Sequence, residues 1–77
     1  MKTVLLRGGE DFHAILAREL SFPPYYGHNL DALHDCLTDL SADTAIILAE
    51  ADKADPRLTD VLRDAEEENP HLRVYIG

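Results

Sequence analysis

Three aspartates spaced four residues apart are the feature of this sequence most suggestive of binding chemistry. Asp31, Asp35 and Asp39 fall within about 80° of one another on a helix that turns about 100° per residue. No Lys or Arg lies between Glu19 and Asp52 to neutralise them, and like charges at this spacing destabilise a helix by about 0.2–0.5 kcal/mol per pair. The opposite side of the helix is apolar, with leucines at helical spacing: Leu30, Leu33, Leu37 and Leu40.

This acidic face has two interpretations. It is either the solvated side of a helix in an acidic protein or a surface that enters a cationic cleft on a partner. The loop Phe22–Gly27 favours the second, because it combines two prolines with two tyrosines. Prolines stiffen a loop and reduce the entropy lost on binding, and tyrosines are enriched at interface hot spots. We expect Tyr26 to pack in the core and Tyr25 to face outward.

A metal site on the same helix is a further alternative. His28, Asp31, His34 and Asp35 lie within eight residues, and Asp31 and His34 are spaced to ligate together. A zinc site usually takes a third protein ligand, and the sequence offers no compact set. We therefore predict no metal and expect His13 to be solvated.

Cofactor and nucleophile motifs are missing from the sequence. Gly8-Gly9 lacks the other residues of a phosphate-binding loop, and there is neither a nucleophile elbow nor a C-x-x-C pair. His71 is expected to be solvated, and the single Cys36 to be a small residue at the edge of the core rather than a nucleophile. We predict that the protein is not an enzyme and uses no cofactor.

The charge balance restricts the partner. Seven basic and fifteen acidic residues give a net charge of −8 and a pI near 4.7. Nucleic acids and anionic membranes need basic patches that are absent here, whereas a basic protein partner suits this charge. The longest apolar run has five residues, too few for a signal peptide or a membrane span of about 20 residues. With no cysteine pair, the reducing cytoplasm is the expected location.

The elements that position these residues follow from the apolar spacing. Val4–Leu6 is a short continuous apolar run, typical of a strand buried on both faces, and Gly8-Gly9 ends it. A helix starting near Glu10-Asp11 and ending before Pro23-Pro24 has its apolar residues at helical spacing: Phe12, Ile15, Leu16 and Leu20. The acidic helix begins near Asn29, a good N-cap residue.

The second half of the chain completes a parallel sheet. Ala45–Ala49 predicts another buried strand, and Asp55 followed by Pro56 is a typical helix start. That helix ends at Asn69-Pro70, and the alternating pattern of residues 72–76 predicts a third, more exposed strand. The order strand, two helices, strand, helix, strand predicts an α/β fold, a three-stranded parallel sheet with packed helices. A chain of this length has room for a single domain, residues 1–77.

The segment from Phe22 to Thr38, FPPYYGHNLDALHDCLT, closely resembles the signature of the barstar family, roughly L-x-x-P-x-Y-Y-G-x-N-L-D-A-L-x-D-C-L-T. The resemblance continues more weakly over the rest of the chain. Barstar-like proteins are intracellular inhibitors of small, basic, secreted guanyl-specific ribonucleases, and their fold is a three-stranded parallel sheet with packed helices. The resemblance therefore implies a one-to-one inhibitor of a barnase-like or other guanyl-specific ribonuclease.

The resemblance also implies roles for individual residues. Asp35 corresponds to the aspartate that occupies the substrate phosphate position, and Asp31 to the one that pairs with an arginine beside the guanine site. Tyr25 corresponds to the tyrosine packed on the active-site histidine. The implied partner-binding set is Tyr25, Gly27, Asn29, Leu30, Asp31, His34, Asp35 and Asp64. Asp39 has no counterpart among the key family contacts and is expected to contribute little to binding.

Three departures from the family pattern limit what the resemblance implies. His34 stands where the family has tryptophan, and Asp39-Leu40 replaces a common Gly-Trp pair, so the acidic helix is expected to continue further. The connection Glu50–Pro56 is shorter than in the family, and a short helix is expected to be missing there. An alternative is therefore a barstar-like module that binds another basic protein, as a regulator or as immunity to a different toxin.

Overall fold

The computed structural model describes residues 1–77 and has the predicted α/β architecture. Its elements in chain order are β1 (Lys2–Arg7), α1 (Phe12–Glu19), α2 (Leu30–Thr38), β2 (Thr44–Ala49), α3 (Pro56–Glu68) and β3 (Leu72–Ile76). Both β1 and β3 pair with β2 in parallel, so β2 is the central strand. The predicted three-stranded parallel sheet with packed helices is confirmed.

The helices cover one face of this sheet and leave the other face open. In β1 and β3, buried side chains on the helix side alternate with exposed ones, whereas in the central strand β2 Ala45 is buried as well. On the open face, Leu5, Ile47 and Tyr75 lie in one row across the three strands, and all three are exposed. The prediction that β1 is buried on both faces was therefore wrong, because no helix packs behind Leu5. The predicted exposure of β3 is confirmed on this same face.

The predicted N-caps Asn29 and Asp55 are confirmed, and the first helix, predicted to start near Glu10-Asp11, is capped by Asp11. The Ala14 amide donates to the Asp11 side chain at 3.2 Å, the Ala32 amide to Asn29 at 2.8 Å, and the Arg57 amide to Asp55 at 2.9 Å. Each bond satisfies an amide that has no partner within its own helix. The first turn of α2, which opens the acidic face, is fixed in this way.

The C-terminus of α2 is held by a residue from the far end of the chain. The Asn69 side chain, only 3% exposed, donates to the carbonyl oxygens of Leu37 at 2.9 Å and Leu40 at 3.0 Å. A continuing helix would use these carbonyls for its own amides. Helix α2 therefore ends at Thr38 with Asp39 as its C-cap, and the expected continuation through Asp39 was wrong.

The short connection between β2 and α3 keeps one turn of helix. The family resemblance implies that a short helix is missing from this segment. Residues Ala51–Lys53 nevertheless form one turn of 3-10 helix there. The Ala51 amide donates to the Gly77 carbonyl at 3.1 Å. This turn is thereby attached to the end of β3. No helix of the structure is long and apolar enough to cross a lipid bilayer.

Candidate functional site

The acidic face of α2 is solvent-exposed and forms no ion pair with a lysine or arginine of the protein. Asp31, Asp35 and Asp39 are all exposed, and the side chain of Asp35 is 86% accessible. None of the three forms an ion pair with a lysine or arginine. Leu33 and Leu37, on the opposite side, are fully buried. The burial of the leucine side thus fixes which way the three carboxylates point.

The loop before α2 presents one tyrosine and buries the other. Tyr25 is 85% exposed, whereas Tyr26 is 8% exposed and packs edge-on against Phe22 with ring centroids 5.0 Å apart. The Tyr26 amide donates to the Pro23 carbonyl at 2.9 Å, which closes the turn. Both expectations for the tyrosine pair are confirmed. A buried Tyr26 therefore anchors the loop that presents Tyr25.

Two depressions flank this loop and divide the predicted site residues between them. One has a volume of about 310 Å³ and contains Tyr25, Asp35 and Asp39. The other, of about 460 Å³, contains Asn29, Leu30 and Asp31 together with His13 and His28. The two depressions thus contain five of the eight residues of the predicted set. The other three, Gly27, His34 and Asp64, line neither depression; Gly27 and Asp64 are exposed, and His34 is partly buried.

A family model described as Barstar (barnase inhibitor) matches residues 4–76 of the chain. The chain belongs to the barstar family. Over 29 residues it is 62% identical to a protein of Bacillus subtilis (strain 168) named "Putative ribonuclease inhibitor YrdF". That match covers 38% of this chain and 32% of the relative, so the chain matches about a third of the relative's length.

In this barstar-family chain, His34 forms an interaction inside the protein. Its Nε2 lies 2.5 Å from a carboxylate oxygen of Glu68 at the end of α3, and its Nδ1 lies 3.9 Å from Oδ1 of Asp35. His34 therefore connects α2 to α3 beside the acidic face. Asp64 is exposed one turn before Glu68 on α3, so helical periodicity puts both carboxylates on the side of α3 that faces His34.

The barstar-family loop is also supported by a histidine that the sequence analysis expected to be solvated. His13 is partly buried, and its Nδ1 is hydrogen-bonded to the Tyr26 hydroxyl at 2.5 Å. Its ring lies 5.8 Å from that of His28, centroid to centroid. The expectation was wrong because α1 turns His13 toward the loop. The spacing of three residues from the buried Leu16 was the available signal, since residues three apart share a helix face.

Burial and nearby titratable groups shift the pKa values of Tyr26 and His13. Burial raises the pKa of Tyr26 to about 12, so its hydroxyl stays protonated at neutral pH. Burial, with a further contribution from His28, lowers the pKa of His13, and Asp11 opposes this shift only in part. The structure groups no three His, Cys, Asp or Glu side chains that could hold a metal ion. His28, Asp31, His34 and Asp35 are therefore not assembled as ligands.

The lowered pKa of His13 predicts that acidification destabilises the fold. The unfolded chain has its ordinary histidine pKa of about 6.5, so below that pH it binds a proton more readily than the folded chain. The free energy of unfolding should therefore fall as the pH is lowered from 7.5 to 5.5. Urea unfolding of the parent and His13→Gln should give a flatter pH dependence for the variant. Equal slopes would show that His13 is not the group responsible.

Proposed function

We propose that this barstar-family protein inhibits a small, basic, guanyl-specific ribonuclease by blocking its active site one-to-one. The observation that carries the proposal is a row of exposed carboxylates without lysine or arginine partners, beside an exposed tyrosine on a loop that the buried Tyr26 anchors. A ribonuclease active site must hold the RNA phosphate backbone with cationic groups. Carboxylates spaced along α2 match that requirement without being a substrate, so the complex is not cleaved.

Each part of the site has a role under this proposal. Asp35 lies mid-face on α2 and takes the position of a substrate phosphate, while Asp31 pairs with an arginine near the base-binding site. Tyr25 covers the catalytic histidine, and its rigid loop limits the entropy lost on binding. The residues that fill the rest of the contact are Gly27, Asn29, Leu30, His34 and Asp64. No metal, cofactor, nucleic acid or membrane takes part.

Two similarities to known proteins support this proposal. The barstar family model takes in nearly the whole chain, and the Bacillus subtilis relative carries a name that refers to ribonuclease inhibition. The proposed cytoplasmic location follows from the same function, because an inhibitor of a secreted toxic ribonuclease protects the cell in which that enzyme is made.

The experiment is a titration of the protein into activity assays of a panel of guanyl-specific ribonucleases. At least one enzyme should lose activity linearly with added protein and reach full inhibition at one equivalent. Addition of EDTA should leave the endpoint unchanged, since the proposal includes no metal. If no enzyme of the panel is inhibited by a large molar excess, the ribonuclease proposal is wrong.

Association with the ribonuclease should slow steeply as salt is added. The net charge of −8 and the exposed aspartates of α2 attract a cationic partner before the two proteins touch. Electrostatic steering raises association rates toward about 10⁸–10⁹ M⁻¹s⁻¹ at low salt, against about 10⁵–10⁶ M⁻¹s⁻¹ without it, and ions screen it beyond about 10 Å at 0.1 M. Stopped-flow rates that stay constant from low to high ionic strength would rule this mechanism out.

A second candidate is a barstar-like module for a different basic protein. His34 favours it. This residue stands where the family has a tryptophan, and here it contacts Glu68 of the same protein. The two candidates differ in what binds, and both use the acidic face. A basic protein that co-purifies with this chain and lacks ribonuclease activity would favour the second candidate.

A further inference from the structure

A groove separates the Tyr25 loop from the C-terminal half of α2, and we call it the Tyr25–Asp39 groove. Its volume is about 310 Å³. Apolar side chains form most of its lining, together with two carboxylates. Its lining includes the apolar residues Phe22, Pro23 and Leu40, the exposed Tyr25, and the acidic residues Asp35 and Asp39.

The groove is electrically negative and has no basic group of its own. Its only charged lining residues are Asp35 and Asp39, neither of which contacts a lysine or arginine. Burial, followed by these two aspartates, raises the pKa of the Cys36 thiol on the same wall. The thiol is therefore neutral at physiological pH, and the carboxylates dominate the potential in the groove.

The position of Asp39 is fixed although it is unfavourable for the isolated helix. Asp39 is the C-cap of α2, and its amide donates to the Asp35 carbonyl at 3.2 Å. A negative charge at a helix C-terminus opposes the helix dipole, and the pair with Asp35 adds like-charge repulsion. A cation between the two carboxylates would remove the repulsion and offset the dipole. The groove is thus complementary to a positive charge at its edge.

We propose that the Tyr25–Asp39 groove receives one arginine side chain of the ribonuclease, with its stem against the apolar walls and its guanidinium between Asp35 and Asp39. The inference rests on the proposed function and deepens it. An arginine suits the groove because a planar guanidinium pairs with carboxylates through several N–H groups and stacks on an aromatic ring such as Tyr25. Asp39 thereby becomes a specificity-determining residue, in contrast to the small contribution to binding that the family resemblance implies.

Dissociation kinetics of matched variants test this assignment. Asp39→Asn keeps the shape of the side chain and removes its charge, and Asp52→Asn makes the same change to the net charge at an exposed residue outside the groove. Loss of a desolvated charge pair increases the dissociation rate, whereas loss of a peripheral charge mainly slows association. Asp39→Asn should dissociate from an inhibited ribonuclease at least about tenfold faster than the parent, and Asp52→Asn should dissociate at the parent rate.

A double-mutant cycle identifies the occupant. Each arginine of the inhibited ribonuclease is replaced in turn by alanine and measured against the parent and Asp39→Asn. One arginine should show an effect that is strongly non-additive with Asp39→Asn, as directly interacting residues do. Additive effects for every arginine would overturn the assignment of an arginine to the groove.

The outcomes separate this inference from the proposed function. If the parent inhibits and Asp39→Asn dissociates like Asp52→Asn, the groove assignment is wrong and the inhibitor proposal stands. If the parent inhibits no ribonuclease, the proposed function is wrong, and the occupant named here is wrong with it. Urea unfolding of Asp39→Asn checks that a faster dissociation does not reflect a damaged fold. The variant should unfold like the parent, because asparagine is well accepted at helix ends.

Discussion

Replacing Asp35 with alanine should remove most of the ribonuclease inhibition and leave the free energy of unfolding unchanged or slightly increased. Binding suffers because the cationic groups of the ribonuclease lose their partner in a desolvated interface. Truncation of such a hot-spot residue costs at least about 2 kcal/mol of binding free energy and as much as about 4–8 kcal/mol. The largest of these values was obtained for an aspartate of barstar itself. Stability does not suffer, because Asp35 is exposed and its removal relieves repulsion with Asp31 and Asp39.

Inhibition constants and denaturant unfolding should be measured together for Asp35→Ala. Asp60→Ala is the matched control, since Asp60 is an exposed aspartate in α3 outside the proposed site. The control should inhibit nearly as well as the parent. If Asp35→Ala unfolds more easily and still inhibits fully, the aspartate has a structural role and the assignment of the site is wrong.

Replacing Asn69 with alanine should lower the free energy of unfolding by on the order of 3 kcal/mol. The buried Asn69 side chain bonds the Leu37 and Leu40 carbonyls and accepts the His71 amide at 2.9 Å. Alanine would remove all three bonds, one of them buried and two part-buried, and each group left unsatisfied costs about 1–3 kcal/mol. The loss is large against a total of about 5–15 kcal/mol for a folded domain.

The control for Asn69 is Asn29→Ala, which removes one exposed N-cap bond of α2 and should cost about 1 kcal/mol. Urea midpoints should shift far more for Asn69→Ala than for Asn29→Ala, with equal m-values. A change within about 0.5 kcal/mol of the parent, as for ordinary surface substitutions, would contradict the role given to Asn69.

The sequence alone predicted the local features of this fold. Helix starts at Asn29 and Asp55 depend on hydrogen bonds within a few residues, so a short stretch of sequence contains all the information. The same holds for the outward direction of Asp35, which follows from the leucine spacing on the opposite side of α2. The exposure of Tyr25 and the burial of Tyr26 were also predicted, although the contact of Tyr26 with His13 of α1 was not.

Features that depend on distant parts of the chain could not be predicted in this way. Asn69 acts on carbonyls about thirty residues earlier, and the sequence indicates only that it ends α3. His34 meets Glu68 through the packing of α2 on α3, and Leu5 is exposed because all helices lie on the other face of the sheet. Hydrophobic periodicity shows which side of a helix or strand is apolar. Which other element packs against that side depends on the tertiary structure.

The most direct test of the proposed active-site block is competition with an active-site ligand. The dissociation constant of the protein for an inhibited guanyl-specific ribonuclease should be measured without and with guanosine 3′-phosphate at many times its own dissociation constant. A protein whose Asp35 and Tyr25 occupy the active site should bind more weakly in direct proportion to the nucleotide concentration. An unchanged dissociation constant, with the nucleotide shown to be bound, would mean that the acidic face binds elsewhere on the ribonuclease and would contradict the account.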